Sequence, residues 1–326
     1  MKSVFKIFQE LRNESPRNGD SFAIASLPTI KNHKIGISQN GQPMFFIKCD
    51  NSTKSLDSNL EFISVQFNRQ CQLINKKQKI EEDVYTIISL KTDSDYLQEY
   101  FLKIVFVLIN NITEKPLLKD LKIEIEKLIN LFTKFSKPPL KTIQGLWAEL
   151  LVIEQSNNPD YLIQSWHNSA SDKYDFNDGI DKVEVKSTTK SRRIHSFSLE
   201  QLTPNTNSKL IVTSIFSIET GTGTNIFDLI DRIEAKINDK NLSFRVNEMV
   251  GLTLGKDFEK SLDSFFDYQF AIDSIKHYNS DDIPSISDNH IPSNIMHIKF
   301  DCDLTDVKTA SKRKSKSRLH NSIFKV

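Results

Sequence analysis

The sequence predicts an α/β chain of the α+β kind, with a β-rich N-terminal domain at residues 1–137, a mixed central sheet flanked by helices at 138–306, and a basic flexible tail at 307–326. Three observations lead to this division. Short runs in the first third alternate apolar and polar residues at period two, the signature of half-buried strands. Two segments of helical periodicity follow and end at Lys137-Pro138-Pro139, which breaks a helix. Beyond that break, strand-like and helical runs are interleaved.

In the N-terminal part, Pro43–Lys48, Phe62–Ile74 and Val84–Thr92 read as strands, and Asn, Ser and Lys clusters separate them. Val65 and Phe67 alternate with Ser64, Gln66 and Asn68, as in one face of an antiparallel sheet. Tyr96 to Ile109 carries Leu97, Phe101, Ile104, Val105 and Leu108 at helical spacing, and a second helix runs from about Leu117 to Phe135. After the prolines, a third helix spans about Leu140 to Gln155. Tyr161–Trp166, Tyr174–Phe176, Val183–Ser187, Phe197–Leu199 and Lys209–Ile218 read as strands, and Asn225–Ile237 as an amphipathic helix. Phe266–Ile272 and Ile295–Phe300 also read as strands.

Composition excludes several classes of function. Only 9 glycines are present, and neither a phosphate-binding loop nor a dinucleotide fingerprint occurs. Cys49, Cys71 and Cys302 are odd in number and far apart, which argues against a disulfide framework and against a cysteine zinc site. The first residues, MKSVFKIFQELRNE, lack the apolar stretch of a secretory signal, and no apolar run is long enough to span a membrane, so the expected location is the cytoplasm. The net charge of +1 is unevenly spread: Val307–Val326 holds seven Lys or Arg and no acid, leaving a body of 36 basic and 42 acidic residues. Any bulk affinity for nucleic acid therefore lies in the tail.

The chemistry concentrates in Lys173-Tyr-Asp-Phe-Asn-Asp-Gly-Ile-Asp-Lys-Val-Glu-Val-Lys-Ser. On a strand, Glu184 and Lys186 share one face and Val183 and Val185 the other. Asn177-Asp178-Gly179 supplies turn residues, so a hairpin would set Asp175 beside Glu184. Two adjacent carboxylates repel each other, and Mg²⁺ is a hard cation that satisfies such a pair. Lys186, one strand step away, is suited to orient a water or to offset developing charge. Upstream, eight of the eleven residues from Ile143 to Ile153 are apolar and Glu149 is the only charge, on a face with Leu146 and Ile153. A carboxylate in such surroundings is costly without a cation or hydrogen-bond donors. Solvated hairpin charges remain the plainer reading of the Glu-x-Lys pair, and a buried salt bridge that of Glu149. Trp147 and Trp166 read as core.

The acidic-x(8)-Glu-x-Lys spacing at Asp175, Glu184 and Lys186 resembles the PD-(D/E)XK signature of restriction-type endonucleases, with Tyr174 where the signature has Pro and Asp172 as the alternative first acid. The wider pattern, Gly145-Leu-Trp-x-Glu149-Leu-Leu, Trp166, Asp175-Phe, Glu184-Val-Lys186-Ser and His195-x-Phe-Ser-Leu-x-Gln201-Leu, resembles PD-(D/E)XK proteins of bacterial restriction and anti-phage defence clusters. That resemblance implies a restriction-endonuclease-like core and a Mg²⁺-dependent DNA endonuclease, with Mn²⁺ able to substitute. It assigns Asp175, Glu184 and Glu149 to the metal, Lys186 to the attacking water, and Gln201 and His195 to the region of the phosphate. Arg192 and Arg193 become candidates for holding the DNA backbone. A homodimer or other defence proteins are the implied partners. The rival readings are a catalytically idle subunit that binds DNA or partner proteins and an adaptor whose hairpin charges are coincidental.

Overall fold

Lys137-Pro138-Pro139 marks the seam of the molecule: the chain divides into two units, Met1–Pro138 and Pro139–Val326. The computed structural model describes residues 4–14, 22–50, 55–75, 77–167, 172–205, 207–286, 291–292, 294–310 and 317–324.

In the first unit, helix α1 (Val4–Glu14) precedes strands β1 (Phe22–Ser26), β2 (Lys34–Ile37), β3 (Pro43–Ile47), β4 (Ser58–Asn59), β5 (Ile63–Asn75) and β6 (Ile80–Leu90). Helices α2 (Asp95–Asn110) and α3 (Leu118–Lys134) follow. The sheet order is β1-β2-β3-β6-β5-β4, and β1 also pairs in parallel with β5. That extra pairing closes five strands into a barrel. Neighbouring strands elsewhere in the sheet are antiparallel, as the period-two runs predict. Ser94 caps α2 by accepting from the Leu97 amide. Phenylalanine supplies much of the core: Phe101 lies 5.8 Å from Phe45 and 5.7 Å from Phe132, ring centre to ring centre, and Phe132 packs at 5.2 Å on Phe135.

The second unit contains α4 (Ile143–Glu154), α5 (Pro159–Ser165), β7 (Phe176–Asn177), β8 (Lys182–Thr188), β9 (Ile194–Ser198), β10 (Leu210–Phe216) and β11 (Glu219–Thr220). It continues with α6 (Ile226–Glu234), α7 (Lys240–Leu254), β12 (Phe265–Phe266), α8 (Tyr268–Ser274), β13 (Lys276–Asn279), β14 (Lys299–Asp303) and α9 (Arg318–Ile323). Its main sheet is mixed, in the order β13-β10-β8-β7: β8 runs parallel to β10 and antiparallel to β7. Strands β9 and β14 form a separate antiparallel pair. β8 is therefore an interior strand, and its residues Lys182–Val185 are all buried. Helix α4 is buried from Leu146 through Glu154, as an element apolar on every side must be.

Four expectations need correction. Tyr161–Trp166 is not a strand, because Asn158 accepts from the Tyr161 amide and Pro159 opens helix α5. Phe266–Ile272 is mostly helix α8, capped by Asp267 through the Phe270 amide. Short apolar runs do not separate strand from helix by periodicity, and in both places the cap decides. The tail from residue 307 is not flexible throughout. Ala310 donates its amide to the His277 carbonyl at 2.7 Å, and α9 buries Leu319 and Ile323 on one stripe, followed by Phe324. That stripe drives docking despite the serine- and lysine-rich composition; residues 311–316 and 325–326 lie outside the described residues. Strand β14 begins at Lys299, four residues later than predicted from Ile295. Among the described residues no helix is long and apolar enough to cross a membrane.

Candidate active site

The β7–β8 hairpin forms because its turn is held by side chains. Asn177 Oδ1 accepts from the Gly179 amide at 2.9 Å, and Asp178 Oδ1 accepts from the amides of Ile180 and Asp181 at 3.0 and 2.8 Å. Gly179 adopts φ +89°, which a side chain would strain. Phe176 pairs with Val183, so Asp175 faces the region of Glu184 across the hairpin. Asp175 Oδ2 accepts from the Val185 amide at 2.7 Å. Asp172, the alternative first acid, is exposed, whereas Asp175 is buried.

Glu184 and Lys186 share the predicted face of β8, with Lys186 Nζ 2.9 Å from Glu184 Oε1. Gln201 joins them from the turn after β9. Its Nε2 donates to Glu184 Oε1 at 2.9 Å, and its Oε1 accepts from Lys186 Nζ at 3.3 Å and from the Ser198 amide at 3.1 Å. The Lys186 ammonium also lies 5.2 Å above the centre of the Phe197 ring.

Glu149 arrives from α4. Its Oε2 accepts from Trp166 Nε1 at 2.7 Å and lies 3.3 Å from His167 Nε2, and its Oε1 accepts from Lys141 Nζ at 2.6 Å. The same ammonium donates to Asp175 Oδ1 at 2.5 Å. Lys141 thus bridges two of the three carboxylates.

The electrostatics follow from burial and crowding. Burial, reinforced by the charge of Asp175, pushes the Glu184 carboxyl up to about 8, against the pull of Lys186. Burial and the charge of Glu149 also raise Asp175, although Lys141 and the Val185 amide oppose the shift. For Glu149, burial works upward, but His167 and Lys141 outweigh it and hold the carboxyl below its usual range. Lys141 loses by burial and gains more from Asp175 and Glu149, so its ammonium is held charged above the usual lysine range. The Tyr174 hydroxyl is buried with no hydrogen-bond partner among the described residues; burial and the nearby Glu184 charge push that phenol up to about 12.

The structure brings together Asp175, Glu184, Lys186, Glu149 and Gln201. His195 lies beside the cluster, close enough for the Lys186 charge to act on its ring. The His195 ring is buried and shares a hydrogen bond with Ser214 Oγ at 2.7 Å; burial, then Lys186 and Arg193, lowers it to about 4. Arg193 is no contact for a DNA backbone: it is buried, donates to Ser214 O at 2.9 Å and stacks on Phe216. Arg192 is exposed at the surface and pairs with Asp303 at 2.6 Å. Sequence reasoning missed Lys141, His167 and the polar role of Trp166. Lys141 sits just before the Thr142 cap of α4, where nothing in the spacing points at Glu149 or Asp175; only the packing of α4 on β8 brings them together.

Three buried carboxylates form an all-oxygen donor set of the kind that suits a hard divalent cation. Among the described residues no three acidic, His or Cys side chains converge on a common point as ligands. The oxygens are instead taken by Lys141, Lys186, Gln201, Trp166 and the Val185 amide. In donor chemistry the site fits such an ion, and the ammonium groups supply the positive charge that it would bring.

No curated protein and no solved structure matches the chain. Residues 4–305 match the family described as "Putative PD-(D/E)XK family member, (DUF4420)", and with nearly its whole length covered the chain belongs to this PD-(D/E)XK family.

Proposed function

We propose that the protein is a divalent-metal-dependent endodeoxyribonuclease that hydrolyses DNA phosphodiester bonds in restriction or defence against foreign DNA. The observation that carries this reading is the single cluster in which Asp175, Glu184 and Lys186 meet with Gln201 across two elements, with Glu149 one lysine away. Mg²⁺ or Mn²⁺, when bound, would activate a water and neutralise charge on the scissile phosphate.

Asp175, Glu184 and Glu149 are the residues that would hold the cation. Lys186 differs from them in kind, because it holds no metal: it orients the attacking water and offsets charge on the phosphate. Gln201 keeps Lys186 and Glu184 in register. The basic residues near the C-terminus, including Lys308 and Arg318, add sequence-independent attraction for the phosphate backbone. Double-strand cleavage needs two such sites, so a homodimer or a partner protein completes the activity on duplex DNA.

The decisive experiment is cleavage of plasmid DNA with Mg²⁺ or Mn²⁺ by wild type, Lys186→Ala and Asp175→Ala, with metal binding measured by calorimetry. Lys186→Ala should lose cleavage and keep metal binding, and Asp175→Ala should lose both. Equal cleavage by wild type and Lys186→Ala would show that the site is wrongly assigned. A wild-type protein that takes up no divalent metal even with DNA present would leave an idle, DNA-binding nuclease fold.

A further inference from the structure

Each of two carboxylates in the site has one oxygen fixed and one exchangeable. Glu149 Oε2 is fixed by the indole N–H of Trp166 at 2.7 Å, and Asp175 Oδ2 by the backbone amide of Val185 at 2.7 Å. Both donors are set in packed structure: Trp166 is buried in the core, and Val185 lies within an interior strand. The remaining oxygens, Glu149 Oε1 and Asp175 Oδ1, both point at one atom, Lys141 Nζ, at 2.6 and 2.5 Å. Two fixed donors therefore aim two free oxygens at a common cationic centre.

That centre is the movable member of the arrangement. Lys141 precedes α4 rather than lying within it, and its side chain keeps 30% of its exposure, whereas those of Glu149 and Asp175 keep 3% and 9%. Lys141 also lines a cavity of about 510 Å³, together with Gln144, Lys260, Phe266 and the acids Glu219 and Asp257. A four-carbon stem has room to swing there, and two carboxylates stand in the cavity to receive its charge.

We propose that Lys141 is the resident counter-ion of this site: its ammonium holds Glu149 and Asp175 together until a divalent cation enters between them and displaces it into the neighbouring cavity. The inference rests on the metal-dependent reading above. A divalent ion needs the same oxygens at roughly 2.1 Å, and an ammonium cannot share them at that distance. Binding is thus an exchange of one cation for another. The lysine lowers the apparent metal affinity by the fraction of molecules in which it occupies the site. It also keeps the metal-free site from opening under the repulsion of its own acids. Lys141 acts here as a positioning residue, through the carboxylates.

Two measurements on the full chain test this. The first is amine-selective acetylation of wild type with and without saturating Mg²⁺, read lysine by lysine by mass spectrometry. Lys141 should be protected in metal-free protein and become at least about threefold more reactive when Mg²⁺ is present, as an occupied fraction falls. The second is Mn²⁺ calorimetry on Lys141→Met, where removing the competitor should tighten binding about tenfold if the lysine fills the site in nine molecules of ten. A lysine with only a packing role would give neither result. Calorimetric binding of metal with unchanged Lys141 reactivity overturns this inference and leaves the nuclease reading standing. Mn²⁺ bound by Lys141→Met no tighter than by wild type does the same. Failure of wild type to bind metal overturns both. If Lys141→Met does not fold, the labelling of wild type decides alone.

Discussion

The side-chain amide of Gln201 donates to Glu184 Oε1 at 2.9 Å, which fixes the orientation of a carboxylate that burial drives toward protonation. The other end of that amide accepts from Lys186 and from the Ser198 backbone, so the group cannot flip without losing both. Gln201→Leu should keep the fold and lower the cleavage rate about 10- to 100-fold, the usual range for a residue that orients a ligand. Rates of plasmid nicking at saturating Mn²⁺ measure this. An unchanged rate would place Gln201 outside the working site.

Glu184 gives the protein a pH dependence of known sign. In the folded metal-free state its carboxyl titrates at about 8, above its ordinary 4.5, so between those values the folded state holds a proton that the unfolded state has lost. Stability from this group is therefore complete below about pH 4.5 and is lost as pH rises toward 8. Glu149, held low, titrates below that window. Urea denaturation across the window should show wild type weakening with pH, Glu184→Gln changing less, and saturating Mn²⁺ flattening the wild-type trend. A Glu184→Gln slope equal to that of wild type would assign the trend to other groups.

Trp166 tests the buried polar frame independently of catalysis. Trp166→Phe removes the indole donor to Glu149 Oε2 while keeping an aromatic ring over Phe176, which stacks on Trp166 with centres 6.5 Å apart. The loss should cost about 1–3 kcal/mol, as for a buried acceptor deprived of a partner. Equilibrium unfolding gives the number, and a cost near zero would mean that His167 or water replaces the indole.

Helix α9 is a structural part of the second unit. His320 donates from Nε2 to the Lys182 carbonyl at 3.0 Å, at the start of the strand that carries Glu184. Leu319 is fully buried, and Leu319→Ala should destabilise by about 2–5 kcal/mol. Removing residues 317–326 should lower the melting temperature as well as the affinity for DNA. Truncation that leaves melting unchanged would show that α9 does not stay docked in solution.

How much of this was legible in the sequence depends on how local each relationship is. Glu184 and Lys186 share a face by strand geometry alone, and the turn residues at 177–179 bring Asp175 within reach across one hairpin. Glu149 betrayed itself as the single charge in an otherwise apolar run of α4. Nothing local pointed to Lys141, because its partners lie 8 and 34 residues away on separate elements. The strand alternation around His195 was legible, whereas its partner Ser214, on a strand 19 residues further along, was not. The closure of the barrel by β1 and β5 was equally hidden, since a parallel pairing of distant segments leaves no trace in either segment's pattern.

The position of β8 between a hairpin partner and a parallel partner sets the order in which the site comes together during folding. The β7–β8 turn spans only residues 178–181, while β10 starts 22 residues after β8 ends and must cross over to pair with it. Short loops close first, because long-range pairing must meet its entropy cost before contacts reward it. Asp175 and Glu184 therefore meet early, in water, where two charges 4 Å apart repel by only about 1 kcal/mol. The low-dielectric surroundings that make their proximity severe are added afterwards, when β10 and α4 cover the hairpin. Lys186 is already beside Glu184 in the hairpin, and the packing of α4 adds Lys141 beside Asp175, so each of the two acids has an ammonium partner once covered.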